Sequence, residues 1–102
     1  MDEVFKALAD PSRRHLLDVL YKRDGRTLTE LSAELDMTRF GTMKHLRVLE
    51  DADLITTRRE GREKLHFLNP IPLQMIYDRW VSKYSARIAR QLTTLKRTLE
   101  RK

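Results

Sequence analysis

Only Asp36 and Met37 separate two segments of helical spacing, one closing at Leu35 and the next opening at a capping threonine, Thr38. In the first segment Leu28, Leu31 and Leu35 recur at steps of three and four, and Thr27-Leu28-Thr29-Glu30 has the pattern of a capped helix start. A link this short leaves two helices packed at a steep angle, which is a helix-turn-helix. Asp36 stands in the turn where glycine would be easiest. Aspartate is among the few residues that tolerate a left-handed backbone there.

The second helix is expected over residues 38 to 52, with Thr38 as its N-cap. Placing residues 100° apart sets Gly41, Thr42, His45, Leu46, Leu49 and Ala52 on one side. Arg39, Phe40, Met43, Lys44 and Arg47 point roughly the other way. A merely solvated face is the plain reading of such a helix, but solvated faces carry Glu, Gln or Lys, whereas here Phe40 and Met43 sit among three cations. Exposed apolar groups have something to touch. Thymine methyls are one such partner, and arginine to guanine O6/N7 is the commonest specific base contact. A helix that reads DNA inserts this end, beginning at Thr38, into the major groove. His45 falls on the inner side, so a packed, hydrogen-bonded histidine is preferred to a base contact.

Before this motif, Asp2 to Ala9 form a short helix with Val4, Phe5 and Leu8 on one stripe and acids at its start. Asp10-Pro11 breaks it, and Asp10 or Ser12 can cap a following helix from Arg13 to about Lys22 whose Leu16, Leu17 and Leu20 face inward. After Asp53 the period changes from 3.6 to 2. Leu54–Arg59 and Glu63–Leu68 read as a β-hairpin joined across Glu60-Gly61-Arg62. Directly after a helix-turn-helix such a hairpin is a wing. Arg58, Arg59, Arg62 and Lys64 near its tip are candidates for phosphate or minor-groove contact, against the alternative of a hairpin laced by cross-strand ion pairs with Glu60 and Glu63.

Asn69-Pro70-Ile71-Pro72 punctuates the chain before one long last helix, expected from about Pro72 to near the C-terminus. Its apolar stripe runs Leu73, Ile76, Tyr77, Trp80, Val81, Tyr84, Ile88, Leu92, Leu95 and Leu99, roughly 40 Å of helix at 1.5 Å per residue. That is more than so small a domain can cover. A second copy of the chain, pairing this helix and the first across a two-fold axis, is the economical partner. The expected seam holds Val4, Phe5, Leu8, Leu73, Ile76, Tyr77, Trp80, Tyr84 and Ile88; the aromatics could instead line a ligand pocket.

At 102 residues the chain has room for one domain, residues 1–102, with a modest core. The net charge of +6 suggests a polyanionic partner, but residues 1 to 77 hold 13 Lys/Arg against 13 Asp/Glu. The whole excess lies in residues 78 to 102. The case for the reading helix therefore rests on local arrangement, while Arg79, Lys83, Arg87 and Arg90 form a basic flank that raises long-range attraction to DNA. No cysteine is present, which removes disulfides and thiolate metal sites together. No run approaches a membrane span and no signal-peptide pattern opens the chain, so a cytoplasmic location is expected. Catalysis is not expected: His15, His45 and His66 lie on separate elements, no nucleophile has an evident base, and no phosphate-cradling glycine loop exists.

Taken together, Ala7-Leu-Ala-Asp-Pro-Ser-Arg-Arg-His-Leu-Leu17, Leu28-Thr-Glu-Leu-Ser-Ala-Glu-Leu35, Phe40-Gly-Thr-Met-Lys-His-Leu-Arg-Val-Leu49 and Arg59-Glu-Gly-Arg-Glu-Lys-Leu65 resemble the ArsR-type winged-helix transcriptional regulators. The resemblance covers essentially the whole length. It implies a mainly α winged helix-turn-helix, ordered α-α-α-α-β-β-α, that dimerises through its first and last helices and represses transcription in bacteria. By the same resemblance the base-reading positions fall on Arg39, Phe40, Met43 and Lys44, which the helical wheel had already turned outward. Metal-sensing members place cysteines where this chain has Thr27, Thr29 and Ser32, and others use histidines on a last helix that here has none. The resemblance is therefore to members without a metal site. No cofactor is expected, and an inducer would be an unidentified small molecule. The expected partner is a near-palindromic double-stranded operator; the alternative is a protein-interaction module that uses the basic last helix and does not read DNA.

Overall fold

The computed structural model describes residues 1–100. In chain order the elements are α1 (Asp2–Leu8), α2 (Pro11–Lys22), α3 (Leu28–Leu35), α4 (Arg39–Asp51), β1 (Ile55–Glu60), β2 (Glu63–Leu68), α5 (Ile71–Ile76), a π-helical turn (Tyr77–Val81) and α6 (Ser82–Glu100). The chain divides into two compact units, one ending at Pro72 and one beginning at Leu73.

In the first unit, four helices and the base of a hairpin enclose a small leucine-rich core. Leu16 and Leu20 of α2, Leu31 of α3, Leu46 and Leu49 of α4, and Leu54 with Ile55 at the start of the hairpin are all buried. Each helix start is specified locally. Asp10 accepts from the backbone N–H groups of Ser12 and Arg13 at 2.8 and 3.1 Å, and Pro11 begins α2 at a position where its missing N–H costs nothing. Those two hydrogen bonds, the one from Arg13 above all, hold the Asp10 carboxyl below its ordinary pKa. At α3, Thr27 accepts from Glu30 N while the Glu30 carboxylate accepts from Thr27 N, both at 3.2 Å, a reciprocal capping box. The Thr27 backbone N–H is also the main reason that Glu30 stays below the ordinary glutamate value.

The turn between α3 and α4 is tight because Asp36 does adopt the left-handed conformation, at φ 51° and ψ 49°. A second left-handed aspartate, Asp53 at φ 59°, ends the turn after α4. Leu54, expected to open the first strand, instead lies fully buried in that turn; its N–H donates to Leu49 O and its carbonyl accepts from Asn69 N, both at 2.9 Å.

The end of α1 is held from outside. Arg13 donates from Nε to Ala7 O at 2.8 Å and from Nη2 to Lys6 O at 3.0 Å, and Arg14 Nη1 donates to Leu8 O. Guanidinium groups thus satisfy the orphan carbonyls of the last turn. The inward residues of α1 are Val4 and Ala7. Of the stripe expected on α1, Val4 is buried in its own unit's core, Phe5 is exposed and Leu8 is half-buried.

The long last helix expected from about Pro72 runs from Ile71 to Glu100, with one π turn at Tyr77–Val81 within it. There the Ser82 N–H reaches back five residues to Tyr77 O. The Asp78 carbonyl left over by that shift accepts from Ser82 Oγ at 3.2 Å. Steps of four outnumber steps of three from Trp80 through Tyr84, Ile88, Leu92, Leu95 and Leu99, so the stripe drifts around an ordinary helix of 3.6 residues per turn. Tyr84 and Leu92 are 60 and 61 % exposed, and Ile88, Leu95 and Leu99 are similarly open.

Candidate nucleic-acid interface

The interface is built on α4. Thr38 Oγ1 accepts from Gly41 N at 3.0 Å and starts the helix, while the Thr42 hydroxyl, fully buried, donates to Thr38 O at 3.0 Å. With Thr42, Leu46 and Leu49 anchored in the core, the opposite face is left to solvent. Arg39, Lys44 and Arg47 are exposed there, and Phe40 and Met43 remain 62 and 42 % exposed among them. Lys44 Nζ lies 4.5 Å above the Phe40 ring, a cation–π pair one turn apart that holds a charge and an apolar edge together.

His45 lies on the inner side, half-buried, with Nδ1 3.3 Å from Arg13 Nη1 and 3.9 Å from Asp10 Oδ1. An arginine can only donate, so in this arrangement Nδ1 is the acceptor and the ring proton sits on Nε2. Arg13 therefore touches both the end of α1 and the inner side of the reading helix.

The wing is a six-residue antiparallel ribbon with Ile55 opposite Leu68 and Glu60 opposite Glu63. Gly61, at φ +64°, and Arg62 make the two-residue turn. Arg59 and Lys64 are paired across the strands and share one face. They line, with Arg62 and with Arg39, Met43 and Arg47 of α4, an open groove of about 760 Å³. Arg58 points to the other face, its guanidinium 4.9 Å above the Phe67 ring and 3.6 Å from Glu60. The four wing cations expected as a set are thus split, three in the groove and one behind it.

The groove also holds residues that spacing did not single out. Glu50 extends from α4 to Lys64 Nζ at 3.2 Å, and the buried ring of His66 approaches the same carboxylate oxygen at 3.9 Å. His66 further ties the wing to the loop before α3: its Nδ1 donates to Arg26 O at 2.9 Å, and its backbone exchanges hydrogen bonds with Arg26. Glu50 lies seven residues beyond Met43, which a wheel could have flagged. Nothing in the sequence shows that Lys64 and His66 meet it.

The three hydroxyls at the positions of the metal-sensing cysteines are engaged or exposed. Thr27 caps α3, Ser32 Oγ donates to Leu28 O at 2.8 Å, and Thr29 is exposed. Among the described residues no group of three or more His, Cys, Asp or Glu is placed to hold a metal ion, and no helix is long and apolar enough to cross a membrane.

A family model described as a helix-turn-helix domain matches residues 8–58, which span the core helices and most of β1. The HTH-type transcriptional regulator YuzN of Bacillus subtilis is 41% identical over 86 residues, covering 78% of this chain and 94% of that protein. The chain belongs to the ArsR-type winged helix-turn-helix regulators. A second relative of this ArsR-type protein is the transcriptional repressor SdpR of Bacillus subtilis, 34% identical over 72% of the chain and 81% of its own length. An ArsR-like transcriptional regulator from Rhodococcus sp. RHA1 superposes with a TM-score of 0.75 at 27% identity, over 99% of this chain and 91% of that one. The ArsR-type regulator described here is accordingly a DNA-binding transcriptional regulator and not an enzyme. Its winged helix-turn-helix architecture matches the expected fold class.

Proposed function

We propose that this regulator acts as a cytoplasmic homodimeric repressor on a near-palindromic operator, each α4 entering the major groove about one helical turn, roughly 34 to 36 Å, from its twin. The observation that carries the reading is the exposed face of α4, where Phe40 and Met43 stand uncovered between Arg39, Lys44 and Arg47 at a helix start capped by Thr38. In this reading Arg39 donates to a guanine edge, Phe40 and Met43 meet thymine methyls, and Thr38, Lys44 and Arg47 contact the backbone. Arg59, Arg62 and Lys64 hold phosphates from the wing, and Arg58 acts from its outer face.

Dimerisation supplies the spacing of the two reading helices. Phe5 and Leu8 of α1, with Leu73, Ile76, Tyr77, Trp80, Tyr84 and Ile88 of the last helical segment, form the proposed seam; Val4 supports it from the core. A row of apolar side chains as open as Tyr84 and Ile88 favours a second copy over solvent. The signal that releases the repressor is then a small molecule or partner acting on this dimer. Selection of bound fragments from random DNA tests the reading, with a two-fold-symmetric consensus as the expected result. Affinity for its own upstream DNA no greater than for random sequence, at physiological salt, would refute it.

A further inference from the structure

We propose that Glu50 is a positioning residue for the wing: its carboxylate competes with a DNA phosphate for Lys64, and a proton on the buried His66 relieves that competition. The inference rests on the DNA-reading assignment above and concerns how that groove is regulated.

The geometry supplies both parts. Glu50 sits where α4 meets the wing, its side chain 27 % exposed, with Lys64 Nζ at 3.2 Å and His66 Nε2 at 3.9 Å from one oxygen. His66 is 3 % exposed and its Nδ1 lies 2.9 Å from the Arg26 carbonyl. A carbonyl only accepts, so Nδ1 carries the hydrogen, and in the neutral ring Nε2 has only a lone pair to turn toward Glu50. Lys64 is then the cation that Glu50 holds. A further proton must enter at Nε2, where it places an N–H and a positive charge facing Glu50. The carboxylate then has a cation of its own in the wall of the groove, and Lys64 is free to reach outward. Lys64 is 45 % exposed on a flexible stem, and ion pairs this open are weak, so a phosphate and Glu50 compete on similar terms.

The other charges around His66 do not substitute for Glu50. The Arg26 guanidinium is engaged by Glu30 at 3.8 Å and Glu34 at 3.3 Å. Glu63, Arg47, Arg59 and Arg62 line the same groove with no ion pair to His66 among the described contacts. Protonation therefore acts through Glu50 and Lys64, and DNA affinity rises as pH falls.

Binding of two duplexes, one carrying the consensus from the random-DNA selection and one unrelated, is measured against salt at about pH 7.5 and about pH 5.5. For the wild-type chain the salt slope is expected to steepen by about one unit on acidification, one more phosphate contact, which adds about a three- to fourfold loss of affinity between about 50 and 200 mM salt. Glu50→Gln should bind both duplexes about two- to fivefold more tightly at the higher pH, with the steeper slope already present there and unchanged on acidification. Lys64→Met should abolish both the slope change of the wild-type chain on acidification and the steeper slope that Glu50→Gln produces. Glu63→Gln, which removes an acid from the same groove, should leave the pH dependence of the slope intact. Looser or unchanged binding by Glu50→Gln, a wild-type slope indifferent to pH, or a slope change that survives Lys64→Met would each overturn the proposal. Loss of the competition alone leaves wild-type binding to the consensus in place. Absence of any wild-type binding would instead remove the DNA-reading assignment, and this proposal with it.

Discussion

Arg39 and Lys44 are both exposed on α4, yet they are proposed to do different work. Arg39 presents a planar fork at the first turn, suited to a base edge, whereas Lys44 is a single charge resting over the Phe40 ring. Arg39→Ala should cost about 1 to 3 kcal/mol and relax base preference at one position of each half-site. Lys44→Ala should weaken all sequences alike and flatten the salt slope. Competition binding against a panel of single-base variants separates the two outcomes. Asp10 offers a test independent of DNA. Its carboxylate caps α2, so Asp10→Ala should lower stability by about 1 kcal/mol at neutral pH. Because the folded-state pKa is depressed below 3.8, that contribution is complete above the unfolded value and is lost as pH falls through the folded one. Denaturation curves of the two proteins should therefore converge in acid.

At the scale of elements, the reading helix depends on Thr38, whose hydroxyl satisfies an N–H of its first turn. Thr38→Ala should destabilise the fold by about 1 kcal/mol and fray the residues proposed to enter the groove, visible as faster amide exchange at Gly41. Elements specified by their own sequence were legible in advance. The caps at Thr27 and Thr38, the left-handed Asp36 and the outward face of α4 follow from local spacing and side-chain chemistry, and the structure holds them as the residues imply. What depended on distant partners was not legible. Arg13 meets His45 across 32 positions, and Lys64 meets Glu50 from a different element, so no periodicity contains either pair. Arg58 and Arg59 lie on opposite faces of the ribbon because strand neighbours alternate, which a cluster of cations in sequence does not display. The π turn is not legible, because a stripe of apolar residues looks continuous in sequence whether or not one turn is wider. On α1, the smallness of Ala7 hid that it, together with Val4, is the inner side.

At the scale of the whole molecule, the seam proposed along α6 governs both stability and spacing. Tyr84→Glu combined with Ile88→Glu places charges in that row and should yield a monomer in sedimentation equilibrium. Operator affinity should fall by much more than it does for random DNA, since two half-sites are no longer engaged together. The melting temperature of the unaltered protein should rise with concentration, and that of the double variant should not. The wing has a role in this larger frame as well. Its ribbon has two strands, so the outer edge of β1 offers unpaired amide and carbonyl groups. Arg58, Arg59 and Glu60 crowd that edge with side chains that cannot be zipped against another copy without stranding charge. The charges proposed to suit the ribbon to a polyanion are therefore also expected to keep crowded molecules from growing into fibrils, and exchanging those three residues for valine or threonine should make the ribbon a seed for aggregation.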